Sequence, residues 1–218
     1  MDICRVTRSH LQARASYDRL SHWYDLVEGG WESPPRRLGL DLLQVKPGET
    51  LLEIGCGTGS SLLDTPDHVC AIGYDISFKM LSLTRARLEK AGKSAGLAQG
   101  DALILPFGSE NFNSVFMAFT LELMDTPEIP IVLKEIRRVL KPGGRLGIVS
   151  LSKLGGIRIM QHLYERSHAL MPTVVDCRPI FARRVLEETG YAILDYRLKS
   201  LTGLGIEVVI GGEETKLN

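Results

Sequence analysis

The chain has no excess of either charge and no long run of uncharged apolar residues. Its 26 lysine and arginine residues balance 26 aspartate and glutamate residues among 218, so no global field draws a polyanion to its surface. Runs of basic residues interleaved with aromatic ones, which are typical of nucleic-acid binding, do not occur. The charged first twenty residues lack the apolar core of a signal peptide. We expect a cytoplasmic protein with no transmembrane segment and no nucleic-acid partner.

Cysteine is scarce and scattered. The four cysteines, Cys4, Cys56, Cys70 and Cys177, form no C-x-x-C pair and have no histidines nearby at metal-ligand spacing. Buried free thiols are therefore the expected state. Arsenic binding would need several thiols to converge on one atom, which is disfavoured because Cys56 lies in a glycine turn and Cys70 begins a predicted strand. We expect no metal site.

The length and the 44% hydrophobic content fit one domain with a sizeable core. Apolar residues recur three and four apart over residues 12–44, which predicts helices, with breaks at Gly29-Gly30 and at Ser33-Pro34-Pro35. We expect residues 1–45 to form a helical cap of the same domain as residues 46–218.

Strands and helices are predicted to alternate along the rest of the chain. The predicted strands span residues 50–54, 69–74, 96–99, 114–118 and 145–151, followed by a hairpin of 191–198 and 205–210. Helices are predicted from Ser60, after a Ser77 cap as far as Ala91-Gly92, after a Thr126 cap with Pro127 in the first turn, over 155–170 and over 179–188. This order predicts an α/β fold, a Rossmann-like, seven-stranded, mostly parallel sheet with helices on both faces and a C-terminal antiparallel hairpin.

Three glycines follow the first predicted strand at alternate positions, Gly55, Gly57 and Gly59. In a doubly wound sheet the ligand lies beyond the carboxyl ends of the strands, and the first strand-to-helix turn approaches it most closely. Glycine allows positive φ and close approach of the backbone to a ligand. A purely structural tight turn is the alternative interpretation.

Carboxylates end three successive predicted strands. Asp75 lies twenty residues after Gly55, where a carboxylate accepts hydrogen bonds from ribose hydroxyls; capping of the following helix is the alternative role. Asp101 ends the third strand, within reach of the amino group of an adenine ring. With Glu53 at the end of the first strand, the three favour an adenosine ligand.

The sign of the charge separates two adenosine cofactors. NAD carries a pyrophosphate, which favours a glycine or alanine as the third small residue of G-x-G-x-x-G, whereas Ser60 stands there. Glu53, two residues before the first glycine, would repel phosphate and favour a cation. The sequence therefore favours a sulfonium cofactor over a nicotinamide one.

These segments resemble the class I S-adenosylmethionine-dependent methyltransferases. The similarity lies in residues 53–59, 73–77, 100–102 with 105–107, 112–116 and 140–144. The chain is most similar to the branch of methyltransferase type 11 that contains the ubiquinone and menaquinone biosynthesis C-methyltransferases, through Tyr17-Asp18, Tyr24-Asp25, residues 178–180 and residues 186–191. Methyltransferases of sterols, arsenic and small metabolites share the same outline.

The resemblance implies a site for S-adenosylmethionine. The backbone of the glycine turn would line the methionine part, Asp75 would hold the ribose, Ile76 and Asp101 with its neighbour would contact the adenine, and residues 119–121 would border the sulfonium. The predicted cofactor residues are Glu53, Gly55, Cys56, Gly57, Gly59, Asp75, Ile76, Asp101, Ala102, Phe119, Thr120, Leu121, Tyr17 and Tyr24.

The expected reaction is methyl transfer to a small acceptor, plausibly aromatic or a quinone precursor. Holding donor and acceptor in line provides most of the acceleration, and a general base is needed only when the acceptor must lose a proton. His162, His168 and Tyr164 are candidate catalytic residues, with surface histidine and core packing as the alternatives. A nicotinamide-dependent dehydrogenase and a non-catalytic partner subunit that keeps the cofactor pocket are the alternative functions.

Overall fold

The computed structural model describes residues 32–157 and 177–213, and in these ranges the chain forms one seven-stranded sheet. The strands are β1 (Thr50–Ile54), β2 (Cys70–Asp75), β3 (Gly96–Gln99), β4 (Phe112–Ala118), β5 (Leu140–Ser152), β6 (Ala192–Leu201) and β7 (Leu204–Gly212). Their order across the sheet is β3-β2-β1-β4-β5-β7-β6. The first five strands pair in parallel, and β7 pairs antiparallel with both β5 and β6.

Helices cover both faces of the sheet. They are α1 (Ser33–Leu43), α2 (Ser60–Asp64), α3 (Phe78–Lys90), α4 (Ile129–Val139) and α5 (Ala182–Glu188), with a 3-10 helix at Leu121–Leu123. Apolar side chains of α1, α2 and α3 join the clusters on one face, and those of α4 and α5 join the cluster on the other. The predicted fold class is confirmed. Within the described residues, no helix is long and apolar enough to cross a membrane.

The central strands are buried on both faces, as expected for parallel strands between helices. On β4, Val115 and Phe116 are both fully buried and point to opposite sides, so each contributes to a different hydrophobic cluster. On the α1 side, a Cβ added at Gly39 would lie 2.6 Å from Val149 Cγ2. The helix therefore approaches the sheet as closely as a glycine allows.

Several elements begin, end or turn where local sequence signals predicted. The bounds predicted for β1 and β3 are confirmed. The Ser77 side chain accepts a hydrogen bond from the Met80 backbone N–H at the start of α3, and the inward face of that helix is buried as expected. The final hairpin turns at Thr202 and Gly203, both at positive φ (50° and 86°), the geometry of the two-residue turns that match strand twist.

Several predicted boundaries are wrong. Helix α5 begins at Ala182 and β6 ends at Leu201, each three residues later than predicted. Thr126 does not cap α4: the helix begins at Ile129, and in the turn before it the Asp125 carboxylate accepts from the Thr126 N–H and the Glu128 carboxylate accepts from the Asp125 N–H. The fifth strand begins at Leu140, because β5 continues through Pro142-Gly143-Gly144 with a register shift against β4.

The start of the helix predicted over 155–170 is also wrong. Residues 153–156 form bends, and Gly155 has φ of 71°, which an α-helix does not use. The rest of that segment, and the helices predicted within residues 12–31, lie outside the described residues.

Candidate functional site

A cavity opens at the carboxyl ends of β1, β2, β3 and β4. In the order β3-β2-β1-β4 the chain crosses over between β1 and β4, which is the position where open α/β sheets bind ligands. Eight predicted cofactor residues line this cavity: Gly55, Gly57, Asp75, Ile76, Asp101, Ala102, Phe119 and Thr120.

The glycine turn follows β1 directly and uses conformations that favour glycine. Gly55, Gly57 and Gly59 have φ of 71°, 52° and 81°, in the left-handed region. A Cβ on Gly55 would lie 2.3 Å from Thr120 Cγ2, too close for any side chain. The Gly55 N–H donates to the carbonyl of Tyr74 over 2.7 Å, which extends the β1–β2 pairing into the turn.

Asp75, at the end of β2, holds the glycine turn and the start of α3 together. Its Oδ2 accepts from the Gly57 N–H (2.9 Å) and its Oδ1 from the Ser77 N–H (2.8 Å). A carboxylate offers about four acceptor positions, and these two contacts use one on each oxygen. The ligand-binding and helix-capping interpretations are therefore compatible, because one carboxylate lines the cavity and contacts the residue that caps α3.

Asp101 follows β3 in a short loop with a fixed backbone. Its Oδ1 accepts from the Leu103 N–H (2.9 Å), and its carbonyl accepts from the Tyr74 hydroxyl (3.2 Å). Tyr74 packs so close to Gly100 that a Cβ there would lie 1.9 Å from the phenol oxygen. Burial raises the pKa of Tyr74 to about 12, so the phenol stays protonated and acts as a donor at neutral pH.

The residues after β4 border the other end of the cavity. Phe119 has φ of 52°, an uncommon conformation for a bulky residue and one often found at functional sites. Thr120 Oγ1 donates to the Ala118 carbonyl (2.9 Å) and lies 3.4 Å from the Gly55 carbonyl, so both the hydroxyl and the methyl group of Thr120 face the glycine turn. This chain segment and the glycine turn thus fix each other's position.

A buried arginine holds the loop that continues from Thr120. Arg178 is 3% exposed and donates to the carbonyls of Glu122 (3.2 Å) and Met124 (2.5 Å) and to Thr126 Oγ1 (3.0 Å). Glu122 in turn accepts from the Leu151 N–H (3.0 Å) at the end of β5. Residues 123–125 of this loop line the cavity, so two distant parts of the chain determine where its wall lies.

The described lining of the cavity is acidic. Five carboxylates contribute to it, and among the described lining residues there is no lysine, arginine or histidine. The carboxylates are Glu32, Asp75, Asp101, Asp125 and Glu128. Such a surface fits an adenosine that carries a positive sulfonium and disfavours a pyrophosphate. The same residues include no group of three or more that is able to hold a metal ion.

Four predicted cofactor residues do not line the cavity. Glu53 is buried within β1, Gly59 starts α2, and Leu121 is fully buried in the 3-10 helix. The Cys56 side chain packs with α2 and α3, and burial holds the pKa of its thiol well above the usual value. Cys56 therefore behaves as an apolar residue. Tyr17, Tyr24, His162, Tyr164 and His168 lie outside the described residues.

Several lining residues were missed by the sequence reasoning. They include Met80, Gly100, Leu103, Leu123, Met124, Glu128 and Val132. Met80 and Val132 were expected on inward helix faces, and a helix face that packs on the sheet near its carboxyl edge also reaches the cavity. Leu123 and Met124 belong to the loop held by Arg178, and no local pattern marks that contact.

The site residues fall within a segment that matches a known family. Residues 51–144 match the family model of the methyltransferase domain. The chain is 35% identical over 144 residues to the demethylmenaquinone methyltransferase of Lactobacillus johnsonii, a match that covers 63% of this chain and 57% of that protein. The chain thus spans somewhat more than half the length of this relative.

Solved structures share the fold. The cyclase SpnF superposes with a TM-score of 0.74 at 21% identity, covering 97% of this chain and 98% of that one. An S-adenosylmethionine-dependent methyltransferase of Methanosarcina mazei superposes with a TM-score of 0.64 at 21% identity, covering 80% and 96%. At these identities the likeness concerns the fold, and the chemistry depends on the site.

Proposed function

We propose that the chain is a class I S-adenosylmethionine-dependent methyltransferase, which binds S-adenosylmethionine as its cofactor and transfers the methyl group to a small acceptor, and that the acceptor is an aromatic quinone precursor. The match to the methyltransferase domain and the similarity to a demethylmenaquinone methyltransferase support this proposal. The observation that carries the proposal is the cavity in which the glycine turn, Asp75 and Asp101 meet at three successive strand ends. The methyltransferase match favours this function over a nicotinamide-dependent dehydrogenase.

We propose that the cofactor lies along this cavity with its adenine near Asp101. Asp75 would accept hydrogen bonds from the ribose, since its carboxylate is already oriented by Gly57 and Ser77. Ile76 and Ala102 would contact the adenine faces. The turn at Gly55 and Gly57 would approach the methionine part, and the acidic lining would stabilise the positive sulfur.

The acceptor assignment draws on the relatives and on the wall after β4. The similarity to a demethylmenaquinone methyltransferase supports a hydroxylated ring as the acceptor. Leu123, Met124 and Val132 give the cavity an apolar wall on this side, and a methionine adapts to flat or irregular ligands. Asp125 and Glu128 line the same side, so this wall fits a ring that is apolar on its faces and carries hydroxyl groups at its edge.

The cofactor supplies a methyl group on a positively charged sulfur. A nucleophilic ring carbon of the acceptor would take this methyl group, the electron pair of the carbon–sulfur bond would pass to sulfur, and the proton of that ring carbon would pass to a base. The fixed positions of Phe119 and Thr120 would keep the acceptor in line with the donor, which is the main requirement for such a displacement. His162, Tyr164 and His168 stay candidates for the group that receives the proton.

We also propose that residues 1–45 cap the same domain. Support comes from α1, whose Leu43 is fully buried in one cluster with Phe116 and Val149 of the sheet. Its Glu32 end reaches the cavity lining. Tyr17 and Tyr24, which were predicted to contact the cofactor, belong to this proposed cap.

The proposed activity is tested by transfer of a labelled methyl group from S-adenosylmethionine. A reduced demethylnaphthoquinone with a short isoprenoid chain serves as acceptor, and mass spectrometry locates the added methyl. The same compound in its oxidised form is the control, since without a phenolate its ring carbon is not nucleophilic. We expect label only in the reduced form, on the ring carbon.

Each other outcome has a defined meaning. Label in a different acceptor class from a cell extract would retain the methyltransferase and reject the quinone precursor. Tight binding of S-adenosylhomocysteine with no label in any acceptor would favour the non-catalytic partner subunit. Binding of NAD without binding of S-adenosylhomocysteine would reject the proposed function altogether.

A further inference from the structure

Two side chains of α3 hold the glycine turn from outside the cavity. Thr84 Oγ1 donates to the Gly57 carbonyl over 2.7 Å. Arg87 Nη1 donates to the Thr58 carbonyl (3.1 Å) and to Thr58 Oγ1 (2.5 Å), with Ser60 Oγ at 3.4 Å. All of these acceptors lie between the turn and the first residue of α2.

The two side chains lie on one face of α3, because residues three apart in a helix are neighbours. Thr84 is fully buried, and a Cβ on Gly59 would lie 2.5 Å from its methyl carbon. Neither Thr84 nor Arg87 is a lining residue of the cavity. Their contacts with the turn come from its far side.

Gly57 is consequently held at both of its backbone polar groups. Its N–H donates to Asp75 at the end of β2, and its carbonyl accepts from Thr84. Arg87 fixes the next carbonyl, that of Thr58. A turn with several glycines loses more conformational entropy on ordering than other chain segments, so contacts that order it before the ligand arrives reduce the free energy that binding must supply.

We propose that Thr84 and Arg87 are positioning residues of the cofactor site, which hold the glycine turn in its binding conformation without touching the ligand. This inference rests on the proposed function, in that the cavity must be the cofactor site. It extends that function to side chains whose only effect on the ligand passes through Gly57 and Thr58.

The test compares Arg87→Met with Arg85→Met in the full chain. Arg85 is exposed on the same helix, two residues away, so the pair matches in helix position and in lost charge. Calorimetric titration with S-adenosylhomocysteine should show affinity about five- to twenty-fold weaker for Arg87→Met, the range for partial loss of a charge-assisted hydrogen bond, and unchanged for Arg85→Met. Thermal unfolding of each variant without ligand reports stability separately.

Arg87→Lys adds a readout that a purely structural role would not produce. The contacts of Arg87 with Thr58 and Ser60 described above are made by one nitrogen, Nη1, so a lysine ammonium should restore part of the lost affinity although it lacks the guanidinium fork. Equal affinity of Arg87→Met and wild type, or an affinity loss equal to that of Arg85→Met, overturns the inference. Wild type that fails to bind S-adenosylhomocysteine instead overturns the proposed function.

Discussion

At the scale of single residues, the carboxylate of Asp75 has two roles. It orders the turn through Gly57 and the α3 cap through Ser77, and it is the residue proposed to bind the ribose. Simple removal of the side chain would disturb both roles at once. A test of the ribose contact must therefore change the ligand as well as the protein.

A double-mutant cycle isolates the energy of this contact. It combines Asp75→Asn in the protein with removal of the ribose hydroxyls from the ligand. In wild type, 2′,3′-dideoxy S-adenosylhomocysteine should bind at least about 100-fold more weakly than the parent compound, since two hydrogen bonds to a charged group are worth ~1.5–3 kcal/mol each. In Asp75→Asn the two ligands should differ far less. Calorimetry measures the four affinities, and equal ratios in both proteins would place the ribose elsewhere.

Sequence patterns located the polar ends of the strands but not their partners. Asp75 and Asp101 could be found because a carboxylate after a buried strand is a local signal. The contacts of Arg87 with Thr58 and of Thr84 with Gly57 could not, since they depend on how α3 packs against the turn. A side chain 27 or more residues away has no signature in the spacing of the motif.

At the scale of elements, the loop after β4 depends on a residue from just before α5. Arg178 supplies hydrogen bonds to two carbonyls and a hydroxyl of this loop while it is itself nearly inaccessible. Its removal leaves those buried acceptors without their donor. The loop that forms the apolar wall of the cavity should then lose its fixed conformation first.

Arg178→Met should accelerate amide hydrogen exchange across residues 121–126 and lower the free energy of unfolding by about 1–3 kcal/mol, the usual penalty for unsatisfied buried groups. Arg184→Met is the control: its exposed ion pair with Glu188 is worth less than about 1 kcal/mol. Hydrogen exchange with mass spectrometry and urea unfolding provide the two measurements. Unchanged exchange in this loop would show that Glu122 and its contact with Leu151 suffice.

The elements that sequence reasoning placed correctly carry their own boundary signals. Ser77 caps α3, Gly92 ends it at φ of 66°, and the alternation of strand and helix gives the parallel order. The start of β5 was missed because Pro142-Gly143-Gly144 normally ends a segment, whereas here it bulges within β5, between the pairing of Leu140 with Phe112 and that of Arg145 with Ser114. Pairing across the sheet overrode the local preference.

At the scale of the whole molecule, two buried phenols link stability to alkaline pH. Burial raises the pKa of Tyr74 and of Tyr191 to about 12. Each hydroxyl donates to a backbone carbonyl, that of Asp101 and that of Leu133 respectively. The folded state therefore keeps protons that the unfolded chain releases near pH 10.

The contribution of these groups to stability should be constant below about pH 10 and should fall as the pH rises from about 10 to 12, by roughly 2–3 kcal/mol for each phenol. The sign follows because the unfolded state binds fewer protons in this range. Urea unfolding at several pH values measures this loss of stability. Tyr74→Phe and Tyr191→Phe should each remove the part of the loss that is due to one phenol. A fall of the same size in both variants and in wild type would contradict this origin.

The position of β7 determines when the sheet can be completed during synthesis. This strand is the last of the described chain, yet it lies between β5 and β6 and pairs with both. Until residues 204–212 emerge from the ribosome, β5 presents an open edge of backbone amides on which a foreign strand is able to align. The nascent chain must pass through this stage with its parallel half assembled and β7 still missing, so its risk of misassembly is greatest until residues 204–212 have emerged.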